Sequence, residues 1–221
     1  MGKILKVFSL FLILFLLVFG FYLYKLHSLA VEGNKIFEQR CLVVNPLLIG
    51  YKNSFLKIAD SVKNPDKYSK EETIGFFDDY ITGMRKYVPE ENRWLEAQKK
   101  HINRWDFRLI EPWYIKQAGE YQWKMYEAYR DDAQYMLDIF DQKITGEESY
   151  SEQRQRRNKY SQLYFDFFNE ATKINDWKKF FGRVPIPEAC NDENLFIPET
   201  SGSFDFGGES LPPPSLPVAL E

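Results

Sequence analysis

The chain has 221 residues, of which 44% are hydrophobic and 28% are charged, and its formal net charge is −3. This length and composition are typical of one globular domain with its own core. Seven acidic residues and no lysine or arginine lie from Pro185 onward, so the rest of the chain is mildly basic. Nucleic-acid binding calls for a strongly basic domain, and we therefore expect no nucleic-acid partner.

The first predicted element is an apolar segment near the N-terminus. Residues 7–24 are eighteen consecutive uncharged residues, nearly all apolar. A membrane span needs about 20 such residues, whereas the core of a secretory signal has about 7–15. Tyr22, Tyr24 and Lys25 form an interfacial belt that is typical of a retained anchor. We predict that residues 1–27 are a signal anchor that crosses the lipid bilayer with residues 4–24. A signal cleaved near Ala30 and a buried core helix are the alternatives.

The orientation of this span follows from its flanks. Lys3 and Lys6 precede the span and Lys25 and Lys35 follow it, so the positive-inside bias is slight. A six-residue stub before the span and a large domain after it fit a single-pass anchor with its N-terminus inside. We expect the bulk of the chain to be extracytoplasmic.

Residues 28–184 are predicted to form a helical domain. Asn45-Pro46 is typical of an N-cap followed by proline at the first helical position, and Pro89 is expected to break or kink a helix. Ser69 and Glu72 have the spacing of a capping box. Ser149 and Glu152 repeat that spacing, and the preceding helix is expected to stop at Thr145-Gly146. The helical arms bounded in this way are 28–63, 70–109, 112–144 and 150–182. The first two arms are thus expected to be kinked at Pro46 and Pro89.

Four arms of similar length predict the architecture. At about 1.5 Å per residue each arm is about 50–60 Å long. Short connections favour an all-α fold, an elongated antiparallel helical bundle that follows the N-terminal transmembrane helix. If residues 110–112 form a kink and not a turn, an irregular array of five or six helices is the alternative. Residues 185–221 form an acidic, Pro/Gly-rich tail that we expect to be largely disordered beyond about Ile197.

A search for chemistry gives no catalytic motif, so we predict no enzyme, no cofactor and no metal site. A di-iron bundle needs Glu-x-x-His on two helices, but the residue three before His101 is Gln98. We expect His101 to be partly exposed. The paired carboxylates, Glu90-Glu91 among them, are expected at helix starts or on solvated faces. Asp132 is the exception, and if buried it needs a partner such as Arg130 or a tyrosine hydroxyl.

Aromatic and basic residues supply the candidate partner or ligand surface. Its members are Trp94, Trp105, Trp113, Trp123, Tyr126, Arg154, Arg156 and Arg157. The aromatic residues could form a groove that stacks on sugars, or the rims of a bundle core that keep one polar end wet. Trp123 and Tyr126 lie off the main apolar stripe and are predicted to be exposed. The arginines are expected on a solvated face, or in contact with lipid headgroups or the acidic tail.

Cys41 and Cys190 are the two cysteines of the chain. In an oxidising compartment they would pair and link the first helical arm to the start of the tail. Such a bridge closes a loop of about 150 residues, worth about 3–5 kcal/mol in the chain-entropy model. Two unrelated buried thiols are the alternative.

These features together predict a membrane-anchored scaffold or accessory subunit that acts by protein–protein binding at the cell envelope. The alternative is an extracytoplasmic protein that binds a small ligand or glycan in an aromatic groove.

Overall fold

The computed structural model describes residues 2–143, 148–174, 176–178, 184–185 and 187–190. Wherever these residues have regular structure it is helical, with no strand among them. The α-helices are α1 (Gly2–Gln39), α2 (Asn45–Lys63), α3 (Lys70–Ile102), α4 (Trp105–Ile110), α5 (Trp113–Phe140) and α6 (Glu148–Lys173). A π-helical turn, Arg40–Val44, joins α1 to α2, and a 3-10 turn, Pro65–Lys67, precedes α3.

Helix α1 begins with the apolar segment. Among the described residues, the continuous helix that starts with α1 is the one helix that is long and apolar enough to cross a membrane. The large apolar side chains from Val7 to Val18 are exposed, which fits a helix surrounded by lipid better than a helix of the core. The span is thus supported by length, composition and exposure.

The helix does not end at Asn45-Pro46, and the prediction of Asn45 as an N-cap is wrong, although Pro46 lies in the first turn of α2 as predicted. Asn45 donates its backbone N–H to the carbonyl of Arg40, five residues earlier, and both flanking residues keep helical dihedral angles. Proline lacks an N–H, and its ring clashes with the carbonyl four residues before it. The wider π-turn directly before Pro46 accommodates this ring, as π-bulges do in other helices. α1, the π-turn and α2 therefore form one continuous rod.

Helix α3 also continues through its proline. Its N-terminus is the predicted capping box: Glu72 donates its backbone N–H to the Ser69 hydroxyl, and Ser69 donates its own to the Glu72 carboxylate. Pro89 lies inside the helix without ending it, between the buried residues Val88 and Glu91. Tertiary burial on both sides of the proline therefore overrides the local break signal.

The predicted arm 70–109 is divided near its end. Helix α3 stops at Ile102, and Arg104 has an extended backbone conformation before α4 begins. The Arg104 guanidinium donates to the carboxylates of Glu32 and Asp106, which fixes the break against α1. Because the helix is interrupted here, the apolar residues after the break do not continue the buried face of α3. Trp105 and Leu109 are therefore exposed.

Helices α5 and α6 agree in part with the predicted arms. α5 begins directly after Pro112, as predicted. The predicted stop at Thr145-Gly146 and the side chain of Ser149 lie outside the described residues. α6 ends at Lys173, whereas the sequence predicts a helix to Phe181, which also lies outside them.

The helices pack as α2 on α3, α3 on α5, and α5 on α6. Their main core contains fifteen buried apolar side chains, with Met84, Tyr87 and Met125 fully buried. A smaller cluster joins the end of α1 to α3 and α4 through Leu26, Leu29, Ile102, Phe107 and Ile110. The core therefore continues along α1 beyond the apolar segment.

Candidate functional site

The most enclosed polar contact in the described structure is an ion pair on the π-turn. Arg40 Nη1 donates to Glu91 Oε1 of α3 at 2.6 Å, and both side chains are 0% exposed. Glu91 reaches this position because α3 runs unbroken through Pro89. The prediction that Glu90-Glu91 lies at a helix start or on a solvated face is therefore wrong for Glu91.

Two aromatic rings cover the Arg40 guanidinium. Its central carbon lies 3.3 Å from the ring centroid of Tyr126 and 4.4 Å from that of Trp94. The two rings meet edge to face at 5.2 Å. Trp94 Nε1 also donates to the carbonyl of Ile36 at 2.9 Å, so α3 bonds α1 directly. A desolvated cation between rings contributes about 2 kcal/mol or more.

A disulfide lies next to this ion pair. Cys41 and Cys190 are bonded, with their Cα atoms 5.2 Å apart. The segment that leads to Cys190 lies along α1, where the side-chain amide of Asn34 donates to the carbonyl of Pro185. We call Arg40, Glu91, Trp94, Tyr126 and the disulfide Cys41–Cys190 the clamp. The clamp joins five parts of the chain at one place: α1, the π-turn, α3, α5 and the segment before Cys190.

Burial and charge act against each other in the clamp. Burial lowers the pKa of Arg40, but Glu91 and the neighbouring tyrosines outweigh it, so the net pKa lies above its ordinary value. Burial raises the pKa of the Glu91 carboxyl, and Arg40 opposes that rise. The guanidinium therefore stays protonated, and its positive charge stabilises the ionised form of Glu91 in this water-free position.

A second set of ion pairs joins α5 to α6, and we call it the α5–α6 seam. It consists of Arg157 with Asp132, and Arg156 with Glu127 and Asp131. The Arg157 side chain is 3% exposed and that of Arg156 is 41% exposed. Burial raises the pKa of Asp132, with Arg157 opposing. Tyr129 and Ser161 share a hydrogen bond of 3.2 Å in the same seam.

A cavity of about 60 Å³ lies between α2, α3, α5 and α6. Its lining includes Tyr51, Tyr80 and Tyr129 together with the Asp132–Arg157 pair. A water molecule needs about 10–15 Å³ of such space, so the cavity has the size of a few waters. Pockets for sugars or drug-sized ligands are about 300–1,000 Å³. The described cavity is thus much smaller than a glycan site.

The outer face of the rod presents an apolar stripe to solvent. Leu42 is 58% exposed and Leu56 is 49% exposed, and Val43 beside Leu42 is also exposed. Pro46 is exposed between them, and Ile49 is half-buried because it also packs against the main core. Steps of 4, 3 and 7 residues from Leu42 place Pro46, Ile49 and Leu56 on one side of the helix. We call these five residues the outer stripe.

The structure separates the sequence-predicted aromatic residues into two groups. Trp94 and Tyr126 are buried in the clamp, and Trp123 is half-buried with its Nε1 bonded to the carbonyl of Leu95 at 3.0 Å. The prediction that Trp123 and Tyr126 are exposed is therefore wrong, because both face α3. Trp105 of α4 and Trp113 at the start of α5 are 74% and 63% exposed. The five aromatic candidates do not form one groove.

The predicted basic residues also separate. Arg154 is half-buried, Arg156 bridges two carboxylates of α5, and Arg157 is buried. A solvated face is therefore wrong for Arg157, because Asp132 draws it inward. Arg157, and not the predicted Arg130, is the partner of Asp132.

His101 is buried, which contradicts the expected partial exposure. Its ring packs on Phe107 with centroids 5.0 Å apart, and burial lowers its pKa although Glu32 opposes that shift. Among the described residues, no group of three or more histidines, cysteines or carboxylates is placed to hold a metal ion.

Sequence reasoning missed Arg40 and Glu91. A local signal was present: Arg40 is the one charged residue between Glu38 and Lys52, within an otherwise apolar or neutral stretch. Such an isolated charge in a helix that is buried at this point requires a partner. The partner is 51 residues away in sequence, and no local pattern connects the two.

Comparison of the chain with protein-family models, curated proteins and solved structures finds no match. Its function is therefore inferred from its own residues.

Proposed function

We propose that the protein is a membrane-anchored helical scaffold or accessory subunit that binds another protein at the cell envelope. In this proposal α1 crosses the bilayer with the N-terminus inside, and the four arms stand outside as an elongated antiparallel bundle. The partner binds the outer stripe.

The outer stripe is the observation that carries this proposal. Leu42 and Val43 are large apolar side chains exposed next to the exposed Pro46, and Leu56 is exposed about 15 Å further along the same rod. Exposed apolar side chains grouped on a helix are a mark of protein interaction sites. A helix with an apolar face fits such a stripe by packing its own side chains between these residues.

The rod suits a scaffold because it is held in place where the stripe begins. The clamp fixes Arg40 and Cys41 to α3 and to the segment before Cys190. From Tyr24 to Lys63 the rod is about 60 Å long at about 1.5 Å per residue. A partner bound to the stripe would be held at a set height above the membrane.

The disulfide supports the proposed compartment. Disulfides persist in oxidising compartments and are rare in the cytosol. Cys41 lies fewer than 20 residues beyond the apolar segment, so a stable Cys41–Cys190 bond is expected when this side of the span is extracytoplasmic. This supports the orientation with the N-terminus inside.

The test is photo-crosslinking of the full-length chain in its native membranes. A photoreactive residue at Leu42 or Leu56 is expected to give the same discrete adduct, because both positions face one partner. Ile74, an exposed apolar residue of α3, is the matched control and is expected to give no such adduct. In the double variant Leu42→Glu with Leu56→Glu, a photoreactive residue at Pro46 should no longer form the adduct. The two carboxylates would have to be desolvated against the partner's apolar face, which weakens binding.

The proposal is wrong if crosslinking at Leu42 and Leu56 gives only lipid adducts or the pattern found at Ile74. It is also wrong if the double glutamate variant, folded by circular dichroism, retains the adduct.

A further inference from the structure

A cluster of exposed aromatic and apolar side chains surrounds the end of the apolar segment. Its members, which we call the proximal face, are Trp105, Leu109, Trp113 and Trp177, and their exposed fractions run from 48% to 74%. They come from α4, the first turn of α5 and the segment after α6. Three elements that are distant in sequence therefore present large apolar side chains at the same end of the domain.

The contacts with α1 give the height of this face. Tyr22 donates its hydroxyl to the carbonyl of Ile110 at 3.0 Å, and Lys25 Nζ lies 3.6 Å from Asp106 Oδ2. The Trp177 ring lies 5.9 Å from the ring of Phe19 and 6.3 Å from that of Tyr22. The apolar run of α1 ends at Tyr24. Trp177, and Leu109 next to Ile110, are thus level with the last two turns of the proposed span. Trp105 lies just beyond the end of the span, because its neighbours Arg104 and Asp106 pair with Glu32 and Lys25.

The composition of the face fits the membrane interface. Tryptophan is enriched where the hydrocarbon core meets the headgroups, because its ring is apolar and its N–H is polar. Basic side chains lie around the rings: Arg108 is exposed, and Lys116 and Lys178 are half-buried. Of the nearby carboxylates, Asp106 and Glu111 are buried. Asp176, next to Trp177, is half-buried and accepts hydrogen bonds from the Tyr114 hydroxyl and the Lys178 backbone N–H. Aromatic residues within a basic rim are typical of surfaces that lie on phospholipid.

We propose that the proximal face rests on the outer surface of the same bilayer that α1 crosses, with Trp105, Leu109 and Trp113 in the headgroup and upper acyl region. The occupant of this face is phospholipid, because the face continues directly into the lipid-exposed side of α1. This inference rests on the proposed span. It adds a second, peripheral membrane contact formed by α4 and the start of α5.

Tryptophan quenching by brominated lipids tests this contact in the full-length protein. The chain has five tryptophans, and bromine attached to an acyl chain quenches only rings that reach the lipid. In vesicles with bromine near the headgroup end of the chains, we expect clear quenching compared with unbrominated vesicles. The double variant Trp105→Phe, Trp113→Phe should lose a large part of it, and the triple variant, which adds Trp177→Phe, should lose most of the rest. Its remaining rings, Trp94 and Trp123, are bonded to the carbonyls of Ile36 and Leu95 inside the protein.

A tryptophan in the span separates the two proposals. Phe15→Trp, placed in the triple variant, should be quenched most by bromine deep in the acyl chains. If Phe15→Trp is quenched and the parent protein shows no more quenching than the double variant, the proximal contact of Trp105 and Trp113 is wrong while the span holds. If Phe15→Trp is also not quenched, α1 does not span and both proposals are wrong.

Discussion

The clamp and the α5–α6 seam both join helices through arginine–carboxylate pairs, but they differ in their access to water. In the clamp, Arg40 and Glu91 are completely buried and two rings cover the guanidinium. In the seam, Arg156 is 41% exposed while its neighbour Arg157 is buried. Water screens an exposed pair and reduces its contribution to about 0–1 kcal/mol, whereas a buried pair that loses one partner leaves a charge without solvation. Burial, more than ion-pair distance, decides how strongly each pair constrains the fold.

The largest effect is expected from Arg40→Ala. This change leaves the Glu91 carboxyl buried without its partner and empties the space between Trp94 and Tyr126. Loss of one partner of a buried pair costs about 3–5 kcal/mol, and the lost ring contacts bring the total to about 5 kcal/mol or more. Urea unfolding of the full-length chain in detergent, followed by far-ultraviolet circular dichroism, measures it.

The matched control is the double variant Arg40→Met with Glu91→Met. It removes both charges and keeps apolar volume, so it should lose less stability than Arg40→Ala alone. A loss below about 1 kcal/mol for Arg40→Ala would show that water reaches this pair, because only solvated pairs are that weak.

The disulfide of the clamp is expected to rank second. Cys41 and Cys190 are separated by 149 residues, so the bond restricts a large loop of the unfolded chain. Replacing both by serine should lower the free energy of unfolding by about 3–5 kcal/mol. The serine variant should unfold identically with and without reductant, whereas the parent protein should be destabilised by reductant. An unfolding curve of the parent that does not respond to reductant under unfolding conditions would contradict this role.

The smallest effects are expected in the seam, where two adjacent arginines give a matched pair of variants. Arg157→Met leaves Asp132 with its raised pKa in a largely buried position and should cost about 2 kcal/mol. Arg156→Met removes a half-exposed side chain from Glu127 and Asp131 and should cost less than about 1 kcal/mol. The same unfolding assay measures both variants. If the two variants lose the same unfolding free energy, burial does not determine how much each pair contributes to stability.

Local signals correctly predicted three of the element boundaries. The capping box at Ser69, the helix end before Asn64-Pro65 and the start of α5 after Pro112 all depend on residues within one turn of the boundary. The helical character of the chain and the apolar N-terminal helix follow from periodicity and composition in the same way. Such features depend little on the rest of the fold.

Features that depend on distant residues were missed. Burial of Tyr87, Val88 and Trp94 keeps α3 intact through Pro89, although proline normally ends a helix. Arg40 and Glu91 meet only when two helices are packed, so a candidate site that was selected by aromatic density included Trp94 and Tyr126 but omitted the ion pair between them. The exposed Trp105 results from the break at Arg104, which apolar spacing alone does not indicate.

The continuity of α1, the π-turn and α2 has a mechanical consequence. Transmembrane helices tilt by about 20° from the bilayer normal on average. Because no flexible joint separates the apolar segment from Lys63, a rod about 60 Å long would convert that tilt into a lateral displacement of about 20 Å at its far end. For a single helix, this tilt angle changes with the thickness of the bilayer. A second contact at the proximal face would fix it, and the position of anything bound along the rod would then be independent of the thickness of the membrane.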